Sequence, residues 1–201
     1  MTSFDHDAGW VMLSGFLSSG AVAEVRAVCA QLLDLPPELQ VAGDKPVAGT
    51  HHLMKLDERS DLVASVANDG RLLAVVAEIL GTRFQPSQIS YRSPQPTFGG
   101  QKLHGDDPPK LDGGPDSVAT AIVALVDFTE NNGTTRIVPG SHRRPDLQRQ
   151  SGSLDSHPDE VKLTGPAGTA FVFSGHVLHS GTPNRSSTER PALQLVWRAS
   201  R

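Results

Sequence analysis

Hydrophobic residues in the first part of the chain recur at the spacing of helices. In residues 21–33 the apolar positions fall three or four apart, so that they share one side of a helix. Pro36 and Pro37 predict the end of this helix, because proline cannot continue it. A second helical pattern covers residues 60–80, with an interruption expected near Asp69 and Gly70. These patterns predict a helical first part.

The remainder of the chain alternates short β-favouring runs with turns rich in Gly, Pro and Asn. This pattern is typical of a sandwich or a barrel and not of βαβ units. A polar segment, residues 143–160, interrupts the runs and is expected to be an exposed loop. With a short run that precedes the first helix, the predicted strands are Trp10–Leu13, Gln88–Arg92, Gln101–Leu103, Ala119–Asp127, Arg136–Val138, Ala170–Phe173 and Leu193–Arg198.

Composition narrows the classes of protein that fit. The chain has 201 residues with 19 Gly and 15 Pro, which fits one domain with many turns. We expect a single domain over residues 1–201, with a helical support region over about 1–82 and a strand-rich core over about 83–201. A formal net charge of -4 disfavours a nucleic-acid partner. No apolar run approaches the roughly 20 residues that cross a bilayer, so no membrane partner is expected. The one cysteine, Cys29, cannot form an internal disulfide, and a cytoplasmic location is expected.

Two places in the sequence have an aspartate two residues after a histidine. Because residues i and i+2 of a strand project from the same face, such a pair can bind one metal ion. His104 and Asp106 follow a predicted strand, and their alternative is a surface turn with a His–Asp hydrogen bond. His157 and Asp159 lie in the polar segment with a proline between them, and we interpret this pair as an exposed turn.

A second source of histidines follows the apolar strand that ends at Phe173. His176 and His179 both come at this strand end. Two histidines and one carboxylate on one side of an iron ion leave three positions open, which allows a bidentate co-substrate and dioxygen to bind together. Arg190 opens the last predicted strand, where its guanidinium could bind a carboxylate at two points, and its alternative role is an exposed salt bridge.

Taken together, these motifs resemble the phytanoyl-CoA dioxygenase family of non-haem Fe(II)- and 2-oxoglutarate-dependent oxygenases. The family pattern has an Asn-Gly turn, a short strand and Pro-Gly-Ser-His, then a distal histidine with an Asn five residues and an Arg eleven residues later. Asn184 and Arg190 fit that register from His179 and not from His176. Four segments carry the resemblance: residues 4–18, His104-Gly105-Asp106, residues 130–142 and residues 179–190.

The resemblance implies a mainly β fold, a double-stranded β-helix (jelly roll, cupin-like) core with N-terminal helices. It implies that His104, Asp106 and His179 bind Fe(II) and that Arg190 pairs with the distal carboxylate of 2-oxoglutarate. A hydroxyl close after the distal histidine often assists that arginine. Here Gly181 occupies the usual position, which leaves its neighbours Ser180 and Thr182 as candidates. The remaining candidates for the co-substrate pocket are Tyr91, Gln101 and Thr135.

The activity that the resemblance implies is hydroxylation of a small organic metabolite, with consumption of dioxygen and release of succinate and carbon dioxide. Desaturation, epoxidation and cyclisation by the same oxidant stay open. Asp106 disfavours halogenation, since related halogenases have Ala or Gly in its place. Two other classes remain as alternatives, a non-catalytic metal-binding jelly-roll module and a cupin-type isomerase or dioxygenase that needs no co-substrate. The sequence indicates no oligomeric state.

Overall fold

The computed structural model describes residues 3–35, 48–107, 116–148 and 151–200. Its helices are α1 (Ser19–Leu33), α2 (Asp61–Ala67), α3 (Gly70–Leu80) and the short α4 (Pro145–Gln148). The predicted interruption between α2 and α3 is confirmed. The carboxylate of Asp69 accepts a hydrogen bond from the backbone N–H of Arg71 and so caps a new helix. Pro36 and Pro37, the predicted helix end, lie outside the described residues.

Nine strands form two antiparallel sheets within the described residues. A six-stranded sheet has the order β1-β7-β4-β9-β3-β2, and a three-stranded sheet has the order β6-β5-β8. Together the two sheets form the predicted jelly roll. The strands are β1 (Trp10–Leu13), β2 (Thr50–Leu53), β3 (Phe84–Pro94), β4 (Val118–Ala124), β5 (Thr135–Ile137), β6 (Val161–Lys162), β7 (Ala170–Ser174), β8 (His179–Gly181) and β9 (Ala192–Ala199).

The two faces of the large sheet have different partners. Its outer face packs against the helices in one apolar core, to which α3 contributes Leu72, Val75, Val76 and Ile79. Its inner face turns toward the small sheet, and a second apolar cluster there includes Phe171, Phe173, Phe128 and Ile137. Because side chains alternate between faces along a strand, each strand supplies one face to the helices and the other to the space between the sheets. That space holds the candidate site.

Several predicted boundaries are wrong, and local hydrogen bonds explain why. Residues 101–103 are not a strand, because their backbone bonds are divided: Gln101 donates to Gly181, whereas Leu103 donates to Ser153. Only an isolated bridge between His104 and His179 remains. Strand β4 ends at Ala124 and does not reach residue 127. The side-chain amide of Asn132 donates a hydrogen bond to the carbonyl of Asp127, so residue 127 belongs to a turn.

The first part of the chain does more than support the core with helices, because β1 and β2 are the two edge strands of the large sheet. The segment 143–160 is also less exposed than expected. It contains α4, and Gln148 and His157 within it are buried. Across the part of the chain that the structure describes, no helix has the length and apolar character needed to span a membrane.

Truncation of a core side chain tests this packing. We expect Leu72→Ala to lower the free energy of unfolding by about 2 to 5 kcal/mol, because Leu72 is fully buried between α3 and the sheet and leaves a cavity. Leu154→Ala is the matched control, because its side chain is 66% exposed, and we expect a change within about 0.5 kcal/mol. Urea denaturation measures both. Equal losses for the two variants would contradict this account of the core.

Candidate metal centre

Three side chains from two separate segments of the chain converge between the sheets. The ligand atoms of His104, Asp106 and His179 all lie within 4.8 Å of one another, and we call these residues the ligand cluster. Backbone bonds fix their positions: His104 N–H donates to the His179 carbonyl at 3.0 Å, and His179 N–H donates back at 2.9 Å. The N–H of Asp106 donates to the carbonyl of Gly175 at 2.7 Å. The cluster is therefore held by the main chain and not by side-chain contacts alone.

Each histidine ring is oriented by a carbonyl two residues earlier. The Nδ1 atom of His104 lies 2.8 Å from the Lys102 carbonyl, and that of His179 lies 2.9 Å from the Val177 carbonyl. A ring that donates through Nδ1–H keeps the lone pair of Nε2 for a metal ion. In His179 this Nε2 atom lies 3.5 Å from a carboxylate oxygen of Asp106.

Electrostatics also suit the cluster to a divalent cation. Burial alone would raise the pKa of Asp106, but His179 and a 2.6 Å hydrogen bond from the Thr120 hydroxyl outweigh burial and lower it. Burial, together with His179, lowers the pKa of His104. Burial opposes charge on His179 as well, but Asp106 overcomes this and raises its pKa. An ionised carboxylate beside two imidazoles is the donor set that divalent transition metals accept.

A cavity of about 70 Å³ opens beside the ligand cluster, and Arg190 lies in its wall. Arg190 is only 6% exposed, and its guanidinium carbon lies 4.9 Å from the centre of the Phe128 ring. Its Nε has no hydrogen-bond partner among the described residues. Burial and the neighbouring Arg92 lower the pKa of Arg190 to about 10. A buried, unpaired guanidinium is costly unless an anion binds it.

The structure brings Gln101 and Thr135 to this cavity. The side-chain oxygen of Gln101 accepts a hydrogen bond from Gly181 N–H at 3.1 Å, which fixes the Gln101 amide at the cavity edge. Thr135 is paired with Gly181 across the β5–β8 ladder, so its side chain shares the face of Gly181. Both residues therefore line the cavity that Arg190 also borders.

Three other predicted residues do not line the cavity. Tyr91 faces the helices, because it alternates with Arg92 along β3 and belongs to the outer core. Ser180 alternates with His179 and Gly181, and its hydroxyl accepts a 2.7 Å bond from Arg136 on the other side of β8. The hydroxyl of Thr182 is occupied by the backbone of Thr134 at 2.8 and 3.0 Å. These positions correct the predicted co-substrate pocket.

Gly181 explains why the usual hydroxyl is missing from β8. A Cβ atom at this position would overlap the backbone carbonyl of Gly99 and would lie 3.1 Å from the side-chain oxygen of Gln101. A backbone carbonyl cannot move aside as a flexible side chain can, so β8 has no room here for a serine. Thr135, on the adjacent strand, provides the hydroxyl that faces the same space.

The other histidines of the two sequence motifs lie apart from the cluster. His176 is buried and its Nε2 lies 2.9 Å from the hydroxyl of Ser117. The side chain of His157 is also buried, contrary to prediction, and its Nδ1 accepts the backbone N–H of Asp159. Only the carboxylate of Asp159 is exposed as expected.

Sequence reasoning missed three polar residues of the site. Thr120 bonds Asp106, whereas Arg92 and Gln194 line the cavity. Strand alternation puts Arg92 and Tyr91 on opposite faces of one strand, so only one of them could line the cavity, and the prediction named Tyr91. Asn184, which belongs to the family pattern, does not line the cavity but stabilises the turn that precedes Arg190. Its side-chain amide donates hydrogen bonds to the carbonyls of Thr188 and Pro94.

The bond from Thr120 to Asp106 makes a testable contribution to metal binding. We expect Thr120→Val to weaken the affinity for Fe(II) or Co(II) by roughly tenfold to hundredfold, because the carboxylate loses the hydrogen bond that orients it. Anaerobic calorimetry measures this, with Thr164→Val at an exposed position as the matched control. Unchanged affinity in Thr120→Val would contradict the assigned contact.

Comparison with known proteins gives relatives over most of the chain. The sequence profile of the phytanoyl-CoA dioxygenase (PhyH) family matches residues 6–192. Multifunctional dioxygenase prhA of Penicillium brasilianum is 27% identical over 222 aligned positions, which cover 98% of this chain and 71% of that protein. Dioxygenase ALT11 of Alternaria alternata is 34% identical over 113 positions, which cover 56% of this chain. That match spans only 33% of the length of ALT11.

Solved structures show the same fold. HygX from Streptomyces hygroscopicus, determined with nickel, 2-oxoglutarate and hygromycin B bound, superimposes with a TM-score of 0.76 at 19% identity. The superposition covers 96% of this chain and 84% of HygX. The order of strands, the ligand cluster and the family profile over residues 6–192 agree. The chain therefore belongs to the phytanoyl-CoA dioxygenase family.

Proposed function

We propose that the protein is a non-haem Fe(II)- and 2-oxoglutarate-dependent dioxygenase that hydroxylates a small organic molecule and releases succinate and carbon dioxide. One observation carries the proposal: a single cavity is bounded by the ligand cluster and by the buried, unpaired guanidinium of Arg190. The cluster suits a divalent metal ion, and Arg190 suits a carboxylate. Their common cavity suits a metal-chelating dicarboxylate.

In this proposal His104, Asp106 and His179 hold Fe(II). Their donors are two imidazole nitrogens and one carboxylate, the set that leaves open positions on non-haem iron. When bound, iron, 2-oxoglutarate and dioxygen supply the oxidant for the substrate, and 2-oxoglutarate is decarboxylated to succinate. The residues of the chain hold and orient these groups. Thr120 keeps Asp106 in place, and Lys102 and Val177 orient the histidines through their carbonyls.

Arg190 holds the distal carboxylate of 2-oxoglutarate in this arrangement. Its guanidinium has a donor, Nε, that is buried and unpaired, and Thr135 places a hydroxyl in the same cavity. Gln101 supports this end of the cavity through its bond with Gly181. Thr135 therefore takes the assisting role for which Ser180 and Thr182 had been candidates.

Apolar residues also line the cavity. Phe173 is fully buried and its ring centre lies 4.6 Å from that of His179, and Ile122 is a further lining residue. These side chains exclude water from one side of the ligand cluster, which restricts oxidation of anything but the bound substrate.

The alternative of a non-catalytic metal-binding module is not favoured. That class requires Arg190 to be an ordinary surface residue, whereas its side chain is buried in the cavity wall. An enzyme that needs no co-substrate leaves the unpaired Arg190 without a role. Desaturation, epoxidation and cyclisation use the same site, and product analysis distinguishes them from hydroxylation.

The substrate is proposed to be a small free molecule and not a coenzyme A thioester. The phosphates of coenzyme A call for a cluster of unpaired basic side chains, and the candidates for one are Arg83, Arg136, Arg143 and Arg144. Three of these arginines pair with carboxylates: Arg136 with Glu160, Arg143 with Asp7 and Arg144 with Asp146. The fourth, Arg83, is exposed and lies immediately before β3. The aligned segment spans 26% to 33% of three fungal dioxygenases, so substrates of those longer proteins are not transferred to this chain.

Anaerobic spectroscopy tests the proposed activity. We expect the weak visible charge-transfer band of chelated 2-oxoglutarate when Fe(II) and 2-oxoglutarate are both added, and not with either alone. Asp106→Ala should lose the band and succinate formation, because the cluster loses its carboxylate. Asp159→Ala is the control, since it removes the exposed aspartate of the other His-x-Asp pair. Absence of the band in the unaltered protein would favour the non-catalytic module. Substrate loss without succinate would favour an enzyme that needs no co-substrate.

Replacement of Arg190 tests the co-substrate site separately. We expect Arg190→Gln to raise the 2-oxoglutarate concentration for half-saturation roughly 10- to 100-fold, because a charged pair is lost. Arg144→Gln is the control, as its exposed side chain pairs only with nearby Asp146 among the described residues. An Fe(II) affinity that stays unchanged in both variants shows that the cluster is intact. A half-saturation unchanged in Arg190→Gln would place the co-substrate carboxylate elsewhere.

A further inference from the structure

A second arginine lines the cavity, on the large sheet. Arg92 lies on the inner face of β3, opposite Ala192 of β9, and its side chain reaches the space that Arg190 and His104 also border. It interacts electrostatically with Asp106, His104 and Arg190, which places its charge between the two halves of the site. The side chain of Arg92 forms no hydrogen bond and no ion pair with any of the described residues.

Arg92 has a polar neighbour of its own on the large sheet. Gln194 follows Ala192 on the same face of β9, and its side-chain amide has no partner among the described residues. Arg92 and Gln194 thus offer unpaired donors from the large sheet, whereas Thr135 and Gln101 lie on the side of the small sheet. Arg190 lies next to this pair, because its backbone N–H donates to Pro94 of β3, two residues after Arg92. The dicarboxylate assigned to Arg190 therefore leaves Arg92 and Gln194 as unpaired donors further along the same ladder.

The net charge of the site also favours a second anionic ligand. The described residues that line the cavity include Arg92 and Arg190 but no Asp or Glu, and Asp106 beside it is the one carboxylate of the cluster. A divalent ion adds two positive charges, and 2-oxoglutarate adds two negative ones. Positive charge therefore remains in a partly buried space after the co-substrate binds. A partly buried charge of this kind favours an anionic ligand.

We propose that Arg92, assisted by Gln194, binds a carboxylate of the organic substrate, so that the enzyme acts on small organic acids. This inference rests on the proposed function, because it assigns Arg190 to 2-oxoglutarate. Arg92 is then a specificity-determining residue, because it selects an acid over the corresponding neutral compound. Arg92 and Arg190 are neighbours on the large sheet but belong to different elements, β3 and the segment before β9, so each can be replaced separately.

Matched pairs of acids and amides test the proposal. The anaerobic protein, loaded with Fe(II) and saturated with 2-oxoglutarate, is titrated by calorimetry with hexanoate against hexanamide and with cyclohexanecarboxylate against its carboxamide. We expect at least one acid to bind tenfold or more tightly than its amide. We expect Arg92→Gln to reduce that preference to about twofold or less and Arg92→Lys to restore part of it. The visible band reports whether 2-oxoglutarate stays bound throughout.

Affinity for 2-oxoglutarate separates this inference from the proposed function. We expect it to change less than twofold in Arg92→Gln, in contrast to Arg190→Gln. Arg83→Gln, which removes an exposed arginine at the start of β3, is the control and should retain the full acid preference. Thermal unfolding should show no loss of stability in Arg92→Gln, because no ion pair with a described residue is removed.

Three results would overturn the inference. One is the absence of any acid preference in the unaltered protein that shows a normal 2-oxoglutarate band. Another is a preference that persists in Arg92→Gln. The third is a loss of 2-oxoglutarate affinity in Arg92→Gln as large as in Arg190→Gln, which would assign Arg92 to the co-substrate. Failure of the band in the unaltered protein would instead contradict the proposed function itself.

Discussion

The reciprocal backbone hydrogen bonds between His104 and His179 determine the geometry on which the rest of the site depends. They join a segment that has no ladder of its own to the first residue of β8. With both main chains fixed, the Nδ1 atoms meet carbonyls two residues earlier, and the Nε2 atom of His179 lies 3.5 Å from a carboxylate oxygen of Asp106. Because the two rings are already held in place, metal binding does not have to order them, and little side-chain entropy is lost when the ion binds.

The two faces of the large sheet separate stability from chemistry. On the outer face, apolar side chains pack against α1 and α3 and form the main core. On the inner face, apolar residues such as Phe173 give way to polar ones such as Arg92 and Gln194 within the same cavity. The core thus compensates for polar and charged groups that fold without partners in the described structure. Unpaired buried charge of this kind is a cost that proteins retain at functional sites.

Sequence alone predicted the elements and the ligand cluster better than it predicted the walls of the cavity. The helix patterns and the interruption at Asp69 follow from local spacing and capping, which need no tertiary information. The choice of His179 over His176 came from the register of Asn184 and Arg190 in the family pattern, and the structure brings His179, not His176, to the cluster. Tyr91 shows the limit: a strand prediction gives two faces but not which one meets the cavity, and a shift of one residue exchanges them. The unpaired state of Arg190 was equally inaccessible, because it depends on what the fold leaves around it.

The pairing of Gly181 with Thr135 shows how a site can keep a chemical group while it changes the strand that supplies it. Neighbouring positions across a ladder reach the same volume, so the loss of a hydroxyl on one strand can be balanced by a hydroxyl on the next. Such a site needs a hydroxyl at one place in space, and that place can be reached from more than one position in the sequence. Relatives that carry glycine after the distal histidine should then be sought by the identity of the residue opposite it.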